Sequence, residues 1–433
     1  MTRKILAALT GAAVLCACQF KETPSPAQDV DAMARDFVLL SLTIGEKEEG
    51  YIDAYYGPTE LEEKARADAP QLSLDALAQR TEQLRTRVAE LPADGDGLEA
   101  RRARFLAAQL TAAATRLRMM KGEKLSFADE AEGLFGISPE LRPLSAYDPI
   151  LERIEKLVPG SGDLAGRVDA FQDRLNIPTE RLKPVFDAAI GECRRRTIQH
   201  IAMPKDERFD MAFVTGKSWS GYNYYQGNAH SRIEINTDLP IRISRAVDLG
   251  CHEGYPGHHV LNALLEQRLT RAKGWIEFSV YPLYSPQSLI AEGSANYGID
   301  LAFPGDDQLN FETKTLYPLA GLPTADAAKY LALNRAMRDL AGARFTIARD
   351  YLEGRIDRAE AVRLTRKYEL MSKDRAEKRI DFTDQYRTYV INYGLGQDMV
   401  RAYIEAAGSD PKARWARMEK ILSEPTLPGD LKP

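Results

Sequence analysis

Cys251-His252-Glu253-Gly254-Tyr255-Pro256-Gly257-His258-His259 holds three of the chain's five histidines within eight residues, with a carboxylate beside the first of them. Neutral imidazoles and carboxylates are the donors that hold a zinc ion at ~2.0–2.2 Å, and a catalytic site leaves one position open for water. Two histidines on one face with an adjacent glutamate would supply two ligands and a proton acceptor. The spacing here is six rather than the usual four. On an unbroken helix six steps rotate by ~600°, which leaves His258 ~120° away from the face of His252. Pro256-Gly257 offers the remedy, because proline removes a helical hydrogen bond and glycine tolerates unusual backbone angles. A two-residue bulge there restores an effective spacing of four. His259 returns to the starting face only two turns on, ~10 Å away, so His258 is the expected ligand and His259 the alternate.

A third ligand has to come from elsewhere. Ser285-Pro286 reads as the start of a helix that runs to Asp300, and within it Glu292 is followed by Gly293, Ser294 and Ala295. Small residues permit close helix packing, so Glu292 is the expected third ligand and Glu253 the general base, the logic of the His-Glu-x-x-His helix of metallopeptidases. A tetrahedral product would need a donor for its oxyanion. Tyr393, in a glycine-flanked segment, is the candidate, with Tyr389, Tyr386 and Arg387 as rivals; His230 and Arg387 are candidate substrate contacts.

Outward from the motif, helical spacing of apolar residues dominates: Leu74–Leu91, Leu98–Met120 and a long helix over 325–353 closed by Gly354. Asp357 with Glu360 resembles a capping box for the next helix. Arg232 to Asn236 alternates with period two and reads as a strand whose edge an extended peptide could pair with, near Trp219, Tyr222, Tyr224 and Tyr225. Pro240 fits the first turn of a helix leading into the motif. The expected fold is mainly α, with a small β element before the motif helix. A single domain over 31–433 would enclose a central cleft.

The chain of 433 residues is 44% hydrophobic and 28% charged, a globular balance that excludes collagen-like, disordered and multispanning classes. A net charge of −5 argues against nucleic acid as a partner. Arg3-Lys4, the apolar run Ile5–Ala17 and Cys18 describe a secretory signal, too short at thirteen residues for the ~20 of a spanning helix. Leu15-Cys16-Ala17-Cys18 resembles a bacterial lipobox, which implies removal of residues 1–17 and lipidation of Cys18. Residues 18–30 would then be a tether, and the chain would be anchored in the cell envelope, at the outer membrane facing the periplasm. Cys193 and Cys251 are expected as free thiols.

His252-Glu253-Gly254-Tyr255-Pro256-Gly257-His258-His259 followed by Glu292-Gly293-Ser294-Ala295-Asn296-Tyr297 resembles the paired signature of the bacterial family called domain of unknown function 885. Ser294 stands where tryptophan is common in that family. Tyr386-Arg387-Thr388-Tyr389 and Asn392-Tyr393-Gly394-Leu395-Gly396-Gln397 are similar to its closing motif. The resemblance is specific over 230–300 and 380–400. It implies a helical, zincin-like metallopeptidase domain with a downstream glutamate ligand and one zinc ion. The expected function is a zinc peptidase acting on short peptides. The alternative is a non-catalytic, lipid-tethered periplasmic binding protein in which the metal is a structural clip. An intact glutamate beside His252 favours the first, since a structural site needs no base and closes its fourth position.

Overall fold

Ser73 accepts a hydrogen bond from the backbone N–H of Ala76 at 3.1 Å and so caps a helix that buries Leu77, Leu84 and Val88 on one stripe. The chain turns through 92–97 and returns as a 23-residue helix, Leu98–Met120, closed by Gly122 at φ +91°. Helix pairs of this kind make up most of the molecule, and the fold is mainly α. The structure is a computed structural model that describes residues 26–432. The expected signal segment and the lipidation site Cys18 lie outside the described residues. The first helix already begins at Pro26, inside the stretch expected as a tether. One hydrophobic cluster runs from Met33 to Leu431. No helix among the described residues is long and apolar enough to cross a membrane.

Among the described residues five strands interrupt the helices: β1 (Ile52–Tyr55), β2 (Arg208–Val214), β3 (Gly221–Tyr225), β4 (His230–Asn236) and β5 (Val280–Pro282). β1 pairs antiparallel with β5. The other three form a sheet in the order β2-β4-β3, with β4 parallel to β2 and antiparallel to β3. This corrects the sequence reading of Arg232–Asn236 as a free edge. β4 has a strand on each side, and the strand with an unpaired side towards the cleft is β3.

Two further expectations are corrected by packing. The stretch 325–353 is two helices, Ala327–Arg338 and Ala341–Leu352, because the chain turns at Asp339–Leu340 to bury Leu340 and lay Gly342 against the Tyr147 hydroxyl. A Cβ on Gly342 would stand 2.3 Å from that oxygen. Pro240 precedes a short bridge between Arg242 and Asn176, and the helix leading to the motif starts only at Ser244. Asp357 does cap the helix Arg358–Glu369, accepting from the backbone of Glu360 at 2.8 Å.

The cysteines expected as free thiols form a disulfide, Cys193–Cys251. Cys193 lies on the helix Leu182–Thr197, which packs directly beneath the motif. Gly250 permits the approach, since a Cβ there would already stand 3.2 Å from Ile190.

Candidate metal centre

Gly250–Gly254 winds as a π-helical turn, the chain breaks at Tyr255-Pro256-Gly257, and a new helix runs from His258 to Leu265. The backbone N–H of Gly257 reaches back six residues to the carbonyl of Cys251 at 3.1 Å. A Cβ on Gly257 would lie 1.7 Å from the His252 carbonyl oxygen, so only glycine fits. This wide turn brings His258 round to the face of His252, and their Nε2 atoms are 3.1 Å apart.

Glu292 comes from the helix Pro286–Ala302. Its Oε2 lies 3.2 Å from Nε2 of His252 and 3.9 Å from Nε2 of His258. That oxygen is buried with no hydrogen-bond donor, while Oε1 accepts from the Tyr389 hydroxyl at 2.8 Å. Three side chains thus converge with lone pairs towards one point. Two donors at ~2.05 Å from a tetrahedral ion sit roughly 3.3 Å apart, which the observed separations bracket. His252, His258 and Glu292 fit a divalent metal ion.

Electrostatics favours the ligand forms of His258 and Glu292, while the surrounding carboxylates favour a proton on His252 where no cation stands. Burial, then the neighbouring charge of His252, pushes His258 down to about 4, which keeps its imidazole neutral. Burial would lower His252, but the Glu292 carboxylate beside it and the charge of Glu253 hold it above its usual value. Glu292 is held below the usual carboxylate range by His252, His258 and Tyr389 against the effect of burial. The carboxylate of Glu253 is pushed up to about 7, first by burial and then by Glu292. A bound cation would favour the charged form of both carboxylates.

Glycine contacts set the rest of the geometry. A Cβ on Gly293 would meet the Gly396 carbonyl oxygen at 2.4 Å, and one on Gly396 would meet the Leu289 carbonyl oxygen at 2.6 Å. The helices Pro286–Ala302 and Ile391–Glu405 therefore cross in near backbone contact, which carries Tyr389 and Tyr393 to the site. Glu253 lies over β3, where a Cβ on Gly221 would stand 2.9 Å from its Oε1. Asn223 of the same strand donates to the Glu253 backbone carbonyl at 2.6 Å.

These groups line one cleft of about 1380 Å³, together with Trp219, Tyr222 and Tyr224. Tyr225 turns the other way and donates to Glu266. Asp53 of β1, which nothing in the sequence singled out, also faces the cleft and accepts from the Tyr222 hydroxyl. Burial, with Glu292 nearby, raises Asp53 to about 7.

Other expected site residues lie elsewhere. His259 is fully buried, with Nδ1 2.8 Å from the Ser231 hydroxyl and Nε2 3.1 Å from Glu207, so neither nitrogen is free for an ion. His230 is held by Asp210 on the neighbouring strand at 2.8 Å and does not line the cleft. Arg387 is also outside the cleft lining, because its Nε donates to buried Glu130 at 2.9 Å. The other Glu130 oxygen accepts from the Thr388 hydroxyl at 2.8 Å and its backbone N–H at 3.2 Å. Arg387 holds a left-handed φ of +53°, and the turn it makes delivers Tyr389 to Glu292. Neither residue expected as a substrate contact lines the cleft.

No protein-family model matches the chain, and no curated protein matches it. Among solved structures it is similar to a protein from Colwellia psychrerythraea described only as a lipoprotein, at TM-score 0.49 and 14% identity over 92% of this chain and 76% of that one. It is also similar to the M32 carboxypeptidase from Deinococcus radiodurans R1, at TM-score 0.38 and 14% identity over 90% and 88% of the two chains. A carboxypeptidase from Pyrococcus furiosus gives TM-score 0.40 and 12% identity over 92% and 90%. Likeness at this level assigns no chemistry to the chain.

Proposed function

We propose that the protein is a zinc-dependent peptidase that hydrolyses short peptides. The observation that carries this reading is the convergence of His252, His258 and Glu292 in a cleft, with Glu292 Oε2 buried and left without a donor. When bound, zinc supplies Lewis acidity for the scissile carbonyl and the attacking water. Glu253 acts as the proton acceptor. Among the described residues its carboxylate accepts no hydrogen bond from the protein, so it can take a proton from the water and return it to the leaving nitrogen. β3 offers the edge along which an extended peptide can pair.

Tyr393 acts as the oxyanion donor. Burial raises its phenol well above the usual value, so it stays protonated, and among the described residues its hydroxyl is committed to no partner. Tyr389 is a positioning residue instead, because its proton is held by Glu292.

The test is Glu253→Gln, assayed for zinc content and for peptide cleavage. Zinc should stay bound while turnover falls by roughly 10²–10⁴-fold. Cleavage at near wild-type rate would remove Glu253 as the base. A zinc-loaded wild type that cleaves no peptide in a library would leave the binding-protein reading. The envelope anchor rests on Leu15–Cys18 alone. Cys18→Ser should free the protein from the membrane fraction or block its processing, and unchanged attachment would sink that reading.

A further inference from the structure

Beyond Tyr393 the cleft holds two arginines that share one carboxylate. Arg344, on the helix Ala341–Leu352, donates from Nε to Glu369 Oε2 at 2.9 Å and places a terminal nitrogen 2.8 Å from the same oxygen. Arg379, on the helix Lys373–Tyr386, approaches that oxygen only to 3.5 Å. Its Nε is buried with no acceptor, and among the described residues the side chain donates no hydrogen bond at all. Glu369 Oε1 is also without a partner. Arg245, another of the guanidinium groups that line the cleft, is engaged by Asp248 and by Ser220 at 2.9 Å.

A surplus positive charge is therefore held facing the cleft with its donors unused. Burial, then the charge of Arg344, pushes the Arg379 guanidinium down to about 10, so it remains charged at neutral pH. A half-buried cation beside another cation, with only a 3.5 Å approach to the carboxylate they share, is costly to keep. Its position supplies a reason. The phenol of Tyr393 feels the charges of Glu292 and Glu253 and those of Arg379 and Arg344, and all five residues line the same cleft. Gly394, next to it, lies close enough to the arginine-bearing helix that a Cβ would stand 2.9 Å from the Phe345 ring. The arginine pair, Tyr393 and the three converging donors thus line one cleft.

A guanidinium presents N–H groups in a planar fork that matches a carboxylate. We propose that Arg379, with Arg344 held by Glu369, forms a subsite for a carboxylate of the bound peptide; this rests on the peptidase reading above. The carboxylate is either the free C-terminus of the peptide or an acidic side chain near the cleaved bond.

Three related peptides distinguish these sources: an acetylated peptide with a free C-terminus, its C-terminal amide, and that amide with its last residue replaced by glutamate. Cleavage is measured with the wild type and Arg379→Gln, and binding by calorimetry with Glu253→Gln and the double variant. The wild type should favour one carboxylate-bearing peptide over the plain amide by about 10- to 100-fold in kcat/KM, the worth of a charge-assisted hydrogen bond. Preference for the free acid names the terminus; preference for the glutamate amide names a side chain. Arg379→Gln should erase that preference, lowering kcat/KM for the carboxylate peptide far more than for the plain amide, with an unfolding midpoint at or above that of the wild type. Equal handling of all three peptides overturns the subsite. So does an equal loss for acid and amide with a lowered midpoint, since Arg379 would then be structural. Should Arg379→Gln not fold, Arg379→Lys keeps the charge without the fork and should retain only part of the preference; full retention overturns the proposal. If the wild type cleaves nothing while Glu253→Gln still binds the carboxylate peptide through Arg379, the subsite stands and the peptidase reading falls. Absence of both cleavage and carboxylate-dependent binding overturns both.

Discussion

His258 and His259 are neighbours in sequence and leave the helix they begin in different directions, ~100° apart. On the cleft side, His258 shows its Nε2 to His252 and Glu292, and no proton donor stands between them. On the sheet side, His259 has both ring nitrogens engaged, by Ser231 and by Glu207, whose carboxylate also binds Arg194 and the Tyr255 hydroxyl. Identical side chains therefore do different work. One is left with an unspent lone pair and suits an ion; the other is saturated and joins the motif helix to β4 and to the loop before β2. The difference lies in whether the surrounding fold supplies partners, which a residue type alone does not reveal.

Exchanging each histidine separately breaks that comparison most sharply. His258→Ala should lower metal affinity by at least three orders of magnitude, since one of three protein donors is lost, while far-ultraviolet dichroism stays near wild type. His259→Ala should keep the metal, with at most a 10- to 100-fold loss through its neighbours, and should lower the unfolding midpoint instead. Metal analysis and thermal unfolding of the two proteins separate these outcomes; an empty site in His259→Ala with full occupancy in His258→Ala would reverse the assignment. Acid sharpens the test of the sheet side. Glu207 is held down to about 2, because hydrogen bonds from His259, Tyr255 and Arg194 outweigh burial. Its folded value lies below the ordinary 4.5, so the stabilisation is present above pH ~4.5 and is lost as pH falls towards 2. Glu207→Gln should therefore be less stable than wild type by about 2–3 kcal/mol near neutrality. That gap should close through the same acid window.

How far this site was legible depended on how local its chemistry is. His252, Glu253 and His258 lie within seven residues, and Pro256-Gly257 announces the break that brings the two histidines together. Glu292 was marked by the small residues after it, which turn out to admit Gly396. The helices with caps and glycine ends were equally visible. Long-range pairing was not. Nothing at Cys193 points to Cys251, 58 residues on, and nothing at Arg387 points to Glu130, 257 residues away. β2 and β3 carry no clean alternation, so the strand that does show it, β4, was given the edge its neighbours occupy. The arginine pair was invisible for the same reason: Arg344, Glu369 and Arg379 sit on three separate helices.

The smallest effect expected comes from the struts behind Glu292, and it asks whether the cleft side of the comparison is itself held in place. Tyr389 fixes Oε1 of Glu292 at 2.8 Å, which leaves Oε2 directed at the histidines. Tyr389 in turn follows a left-handed residue, Arg387, whose turn is fastened by Glu130 through the Arg387 side chain and both donors of Thr388. Partners of a metal-binding carboxylate are typically worth 10- to 100-fold in affinity. Tyr389→Phe removes only the hydroxyl and should cost about 10-fold in zinc affinity with little change in stability. Glu130→Gln leaves Arg387 without its counter-charge and frees the turn, so it should cost zinc affinity to a similar degree and also lower the unfolding midpoint. Competition for zinc against a chelator of known affinity reads the first quantity, and thermal unfolding of the metal-free protein reads the second. Wild-type zinc affinity in Tyr389→Phe would show that Glu292 is oriented by its own helix alone. Loss of stability in Glu130→Gln with unchanged affinity would make Glu130 a strut of the fold and not of the site.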